Sequence, residues 1–220
     1  MEGHRACRNA VLIPRDQVQV DQVKLRNAFL PLSLMAATVA APAAAQFSDS
    51  YNFLKAVKDR DGAKANELLG KGGPNLINTP DFSTSQRAIH LVVKDGDLAW
   101  LAFLLQKGAR VDVKDNQGNT PLMDAARSGF LDGARLLIAK GAPVNASNSM
   151  GETPLIIAVQ RRDVAMTRLL LTEGADPAKR DNASGMSARE YAERDGRSDA
   201  ILKLMDEIKP APKRGIAGPK

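Results

Sequence analysis

Short apolar segments alternate with polar, glycine-containing segments from about residue 51 to residue 208. Leu122, Ala125 and Ala126 are spaced so that they lie on one narrow face of an α-helix. A second apolar stripe follows at residues 136–138, after an intervening glycine. The pattern predicts pairs of short α-helices, each with one apolar face.

The same markers recur along the chain in a fixed phase. Thr120-Pro121-Leu122 is repeated as Thr153-Pro154-Leu155, 33 residues later. Gly-Ala pairs begin at residues 108, 141 and 174, and an apolar pair precedes each of them. Because independent markers share one spacing, they indicate an internal repeat of about 33 residues.

The repeated spacing of polar and small residues along the chain predicts where the helices begin and end. Thr120 and Thr153 can cap helix N-termini with their hydroxyls, and the prolines that follow fit a first helical turn. Glycines at the turn between paired helices are expected to adopt positive φ, and those of the Gly-Ala pairs are expected to end the second helix. The turn glycines are Gly96, Gly129 and Gly196, and the helix-ending glycines are Gly108, Gly141 and Gly174.

With these residues the chain resembles the ankyrin repeat, whose pattern is Gly-x-Thr-Pro-Leu, a helix, Gly, a helix with Leu-Leu, and Gly-Ala. The best units span 115–146 and 148–179, and a weaker one spans 87–114. A degenerate first unit covers 51–72, and a polar last unit, suited to a C-terminal cap, covers 187–208. The resemblance implies an all-α solenoid of about five helix-turn-helix units joined by β-turn loops, within a domain at 46–208.

Two departures from the ankyrin pattern affect its turns and helix starts. Arg162 stands where the inter-helix glycine is expected, which predicts a rearranged or strained turn. The histidine of the pattern is present only as His90; the other units carry Met123, Ile156 or Glu190.

Residues 23–45 have the layout of a secretory signal peptide. Lys24 and Arg26 precede an apolar run, and Ala43-Ala44-Ala45 provides a cleavage site before Gln46. A transmembrane anchor is the alternative, although the run is short and contains two prolines. The expectation is a periplasmic or secreted bacterial protein without stable membrane insertion.

The two ends of the chain are expected to lie outside the folded domain. Residues 1–22 are an unusually polar lead for a signal peptide, and a start codon at Val23 would make them a gene-start artefact. Residues 209–220 are rich in Pro, Gly and Lys and are predicted to be a disordered basic tail.

Composition leaves little room for catalysis. The chain has one Cys and two His, and only His90 follows the predicted cleavage site. The ankyrin resemblance gives His90 a structural role at a helix start. We therefore expect a non-enzymatic protein with no cofactor and no metal.

The charge balance argues against nucleic acid as a partner. The formal charge is +6 for the chain and 26 − 22 = +4 for residues 46–220, part of it in the basic tail. Aromatic residues make up only 4% and are not interleaved with a basic stripe. We expect a monomer that binds a protein.

The resemblance implies that a protein partner docks on the concave face, which is formed by loop tips and the ends of the first helices. Met150 is the sharpest candidate, because a flexible apolar side chain at a loop tip suits an interface. An exported immunity or protective factor that binds an enzyme is one alternative; an intracellular adaptor is another, if the N-terminal segment is retained. The matching positions are Lys94, Asp95, Asn116, Gln117, Asn119, Arg127, Ser128, Ser149, Met150, Glu152, Gln160 and Arg161.

Overall fold

The computed structural model describes residues 43–73 and 75–208, with side chains from residue 49 onward. The described residues form five helix pairs, and no β-strand occurs among them. The segments predicted as leader, most of the signal peptide and the basic tail lie outside the described residues. The helices are α1 (Ala43–Lys58), α2 (Gly62–Gly72), α3 (Ala88–Lys94), α4 (Leu98–Gln106), α5 (Pro121–Ser128), α6 (Leu131–Ala139), α7 (Pro154–Gln160), α8 (Val164–Thr172), α9 (Ala188–Asp195) and α10 (Asp199–Glu207).

The first helices of the pairs stack into one row and most of the second helices into another. In the inner row α1, α3, α5, α7 and α9 pack in succession, and in the outer row α4, α6, α8 and α10 do so. Apolar residues between the rows, such as Leu122, Leu137 and Leu155, are fully buried. Since each helix pair buries its apolar face against its neighbours, the repeats share one continuous core.

The helix starts are capped as the sequence predicts. The hydroxyl of Thr120 accepts the Met123 backbone N–H at 3.4 Å, and that of Thr153 accepts the Ile156 N–H at 3.2 Å. Pro121 and Pro154 then occupy the first turns of α5 and α7. These caps satisfy N–H groups that would otherwise be buried without a partner.

The turn between paired helices needs one residue with positive φ. Gly96, Gly129 and Gly196 take it, with φ of 70°, 73° and 63°. Arg162 keeps the same conformation at φ 57°, so of the two predicted outcomes the structure has the strained one. Arg60 does the same in the first repeat at φ 59°, a departure that sequence analysis missed.

The loops that join the repeats are built around an Asp or Asn at a spacing of 33 or 34 residues. In each loop one side-chain oxygen accepts at least two backbone N–H groups, forming an Asx turn. These residues are Asp81, Asp115, Asn148 and Asp181. The β-turn loops predicted from the resemblance therefore depend on a repeated Asp or Asn residue that sequence analysis did not single out.

Backbone hydrogen bonds connect the tips of successive loops. Gly118 and Gly151 lie at positive φ where neighbouring loops approach closely. A Cβ atom on Gly151 would lie 2.6 Å from the Asn182 backbone nitrogen. The bonds run from Asn116 N–H to the Thr84 carbonyl, from Ser149 to Gln117 and from Asn182 to Met150, at N···O distances of 3.1, 2.9 and 2.7 Å.

We expect Gly151→Ala to destabilise the protein more than Gly141→Ala. Both glycines have positive φ, so each alanine costs about 1 kcal/mol of backbone strain. A Cβ on Gly141 meets nothing within 4 Å, whereas a Cβ on Gly151 collides with backbone. Urea unfolding should show at least twice the loss of unfolding free energy for Gly151→Ala. Equal losses would contradict the close packing of the loop tips.

Candidate functional site

An open groove of about 620 Å³ lies along α3, α5 and α7, between the ends of these helices and two loop tips. Most of the residues predicted for partner binding line it. Sequence analysis missed Asp124 and Ile157, which form part of its floor. The lining residues are Lys94, Gln117, Asp124, Arg127, Ser128, Met150, Glu152, Ile157, Gln160 and Arg161.

Four of the predicted residues do not line this groove. Asp95 is ion-paired with Arg60 at 2.9 Å, and the Asn116 side chain donates to the Ser83 carbonyl at 2.7 Å. Ser149 is exposed at a loop tip outside the groove. Asn119 departs most from its predicted surface position, because only 1% of it is exposed.

Asn119 is buried because it joins three consecutive repeats. Its carbonyl lies 3.3 Å from Nε2 of His90. Its Oδ1 accepts from Nη2 of Arg127 at 3.2 Å and from Nδ2 of Asn148 at 3.1 Å. The backbone carbonyl and the side chain of Asn119 together therefore link its own repeat to both neighbouring repeats beneath the groove.

The rim of the groove presents one large apolar side chain. Met150 is 51% exposed at its loop tip, although its backbone is held on both sides. Its N–H donates to Oδ1 of Asn148, and its carbonyl accepts from Asn182. A flexible apolar side chain on a fixed backbone suits contact with a partner.

Asp124 is a buried carboxylate beneath the groove. It occupies the position that holds Leu91 and Ile157 in the neighbouring repeats and is 1% exposed. Its Oδ1 lies 3.3 Å from Nη1 of Arg127 and 3.8 Å from Nζ of Lys94, while Oδ2 has no hydrogen-bond partner among the described residues. Burial raises the pKa of Asp124 to about 6, against the opposing effect of the two cations.

The surface of the groove carries more accessible cations than anions. Lys94 and Arg127 keep 36% and 42% of their side chains exposed, and the exposed Arg161 has no ion pair with a described residue. Glu152 is only 16% exposed at its side chain and accepts from Nδ2 of Asn148 at 2.8 Å. A ligand in the groove would therefore meet mainly positive charge.

His90 lies outside the groove and is completely buried. Its Nδ1 accepts the Arg87 backbone N–H at 3.2 Å, and Nε2 faces the Asn119 carbonyl. Burial lowers the pKa of His90 to about 4, so the imidazole is neutral at physiological pH. These contacts give His90 the structural place at a helix start that the resemblance implied.

Comparison with protein-family models agrees with this architecture. A model described as ankyrin repeats in three copies matches residues 53–148, and a single ankyrin repeat matches residues 150–182. The chain belongs to the ankyrin-repeat family. The all-α repeat solenoid predicted from the sequence is thereby confirmed, and α9 and α10 add a fifth helix pair beyond the matched residues.

Ankyrin repeats indicate a protein–protein interaction module, and the groove is the candidate surface for it. Among the described residues, no cluster of His, Cys, Asp or Glu side chains could hold a metal ion. Within the same part of the chain, no helix has both the length and the apolar character needed to span a membrane.

Sequence analysis could have found Asp124 from a local inconsistency. It is the one charge within the run Leu122–Ala126, whose other members are apolar and buried. A charged residue at a helix position that the pattern predicts to be buried commonly marks a functional or a strained site. The pairing of Asp124 with Lys94, by contrast, depends on how α3 and α5 stack.

We expect Asp124→Asn to stabilise the ankyrin domain at pH 7.5, because asparagine removes the cost of burying an ionised carboxylate. The pKa of Asp124 is raised from 3.8 to about 6, and one pKa unit corresponds to about 1.4 kcal/mol, so the gain is up to about 3 kcal/mol. The folded-state pKa of Asp124 is raised above 3.8, so wild-type stability falls as pH rises from about 4 through about 6. The advantage of the variant should therefore shrink towards pH 4. Urea unfolding at both pH values measures it; a destabilised variant at pH 7.5 would show that the buried carboxylate is stabilising.

His90 should have the opposite pH dependence. Because its folded-state pKa is lowered from 6.5 to about 4, the wild type loses stability as pH falls through this window, by about 3 kcal/mol. We expect His90→Gln to be less stable than the wild type at pH 7.5 and to approach it at pH 4. Thermal unfolding of both proteins tests this, and a difference that stays constant with pH would refute it.

Proposed function

We propose that this ankyrin-repeat chain is an exported bacterial interaction module that binds one protein partner through the groove along α3, α5 and α7. The observation that carries the proposal is the groove itself. It combines the exposed Met150 at its rim with accessible cations on a scaffold fixed by Asn119 and the loop-tip bonds. A preorganised surface of this kind loses little conformational freedom on binding.

Export is supported by the order of residues before the repeats. Lys24 and Arg26, the apolar run and the small residues at 43–45 follow the layout of a cleavable signal peptide. Helix α1 begins at Ala43, so cleavage before Gln46 would leave most of that helix in the mature protein.

A photocrosslinking residue tests the proposed binding face. Placed at Met150, it should crosslink a protein in cells that express the chain at its natural level. The same residue at Thr172, exposed on the outer helix α8, serves as the matched control. We expect crosslinks from position 150 and few from position 172. Equal yields, or crosslinks from position 172 alone, would contradict binding in the groove.

Intact mass of the chain from the periplasmic fraction tests export. We expect a mature protein that begins at Gln46. A chain found in the cytosol with residues 23–45 still attached would contradict export and would favour an intracellular adaptor.

A further inference from the structure

The cations beside the groove recur from repeat to repeat. Lys94, Arg127 and Arg194 are each the seventh residue of their helix, in α3, α5 and α9. In α7 that position holds Gln160, and Arg161 follows it directly, so each of four repeats supplies one cation at this end of its first helix. Arg194 lines a second groove of about 290 Å³ between α7 and α9, which shares Gln160 with the first. The two grooves thus present a row of positive charge along the inner helices.

Arginines at the inter-helix turns neutralise the acidic residues next to this row. Arg60 contacts Asp95 and Asp97, each at 2.9 Å. Arg162 holds both carboxylate oxygens of Asp195, with Nε donating to Oδ2 at 2.8 Å. Both arginines adopt the positive φ that glycine adopts at the other inter-helix turns. As a result, Asp95 and Asp195 do not offset the charge of Lys94 and Arg194.

The spacing of the row suits an extended chain. Packed helices lie about 10 Å apart, and an extended polyproline II segment advances about 3.1 Å per residue with three residues per turn, so that every third side chain lies on the same side. Successive cations would therefore meet every third residue of an extended segment. The basic residues of this chain's own tail, Lys209, Lys213, Arg214 and Lys220, are not complementary to such a row.

We propose that the row formed by Lys94, Arg127, Arg161 and Arg194 binds an acidic, extended segment of the protein partner, with carboxylates about three residues apart and an apolar side chain against Met150. This inference rests on the proposed function and specifies the chemistry of the partner.

The protonation state of Asp124 changes the affinity of the row for an acidic segment. When it is ionised, its Oδ1 attracts Lys94 and Arg127 and offsets part of the positive charge. Because its pKa is raised to about 6, mild acid neutralises it while most partner glutamates stay ionised. No charged side chain of α6, which also packs on α5, lines the groove. The other charged groups that act on Asp124 or line the groove with it are Asp115, Glu152 and Arg161.

Fluorescence anisotropy with a labelled peptide of four Glu-Ser-Leu triplets tests the inference. We expect this peptide to bind at least tenfold more tightly than its Gln-Ser-Leu counterpart and to be released by added salt. Arg161→Gln and Arg194→Gln should each weaken binding several-fold. The matched control, Arg168→Gln on the outer helix α8, should leave it unchanged.

Asp124→Asn provides a variant whose effect is a gain. We expect it to bind the glutamate peptide more tightly than the wild type at pH 7.5. The affinity of the wild type should approach that of the variant at pH 5.5, where most Asp124 side chains are protonated, so the difference narrows in acid. Unchanged affinity at pH 7.5 would overturn the role of Asp124.

Three outcomes would overturn the acidic-segment proposal: equal binding of the glutamate and glutamine peptides, tighter binding of a Lys-Ser-Leu peptide, or tighter binding of single-stranded DNA of equal length. If Met150 crosslinks a protein whose capture is unaffected by Arg161→Gln, the groove is the binding face but the partner segment is not acidic. If no crosslink forms at Met150, the proposed function itself fails.

Discussion

The stacking of inner helices on one another is the interaction on which the rest of this structure depends. A single pair such as α5 and α6 cannot bury its apolar face alone, and Leu122 is fully buried because α3 and α7 pack against α5 on either side. The threonine caps and Asx turns satisfy backbone groups at the ends of each helix. They thereby allow helix ends to be buried between repeats, and the groove lies where α3, α5 and α7 stack beside their loop tips.

Because the stack fixes the backbone, individual positions can depart from the pattern and carry chemistry. Asp124 stands at the position that the aliphatic residues Leu91 and Ile157 hold in the neighbouring repeats. Burial there makes its ionised carboxylate destabilising to the fold. His90 lies on α3, which packs against the helix of Asp124, and its imidazole destabilises the fold when it is protonated. The two groups favour opposite protonation states across the same pH range, so their effects on the pH dependence of stability largely oppose each other.

The arginines at two inter-helix turns combine a strained backbone with an ion pair to the next repeat. Arg60 and Arg162 adopt positive φ where glycine would do so freely. Each reaches an aspartate in the next repeat, 35 or 33 residues further along the chain. Side chains in place of glycine thus link neighbouring repeats and also change which charges remain available beside the groove.

Local chemistry alone made much of the fold readable from the sequence. The 33-residue phase, the capping of Thr120 and Thr153 and the turn glycines all follow from residue types at short range, and these predictions agree with the structure. Most of the residues that line the groove were also predicted from the sequence, because a repeat places equivalent positions on one face. Only the tertiary structure revealed the burial of Asn119, the orphaned oxygen of Asp124 and the pairing of Arg162 with Asp195. Each of these depends on contacts between residues of different repeats, and their distances are set by stacking rather than by any local pattern.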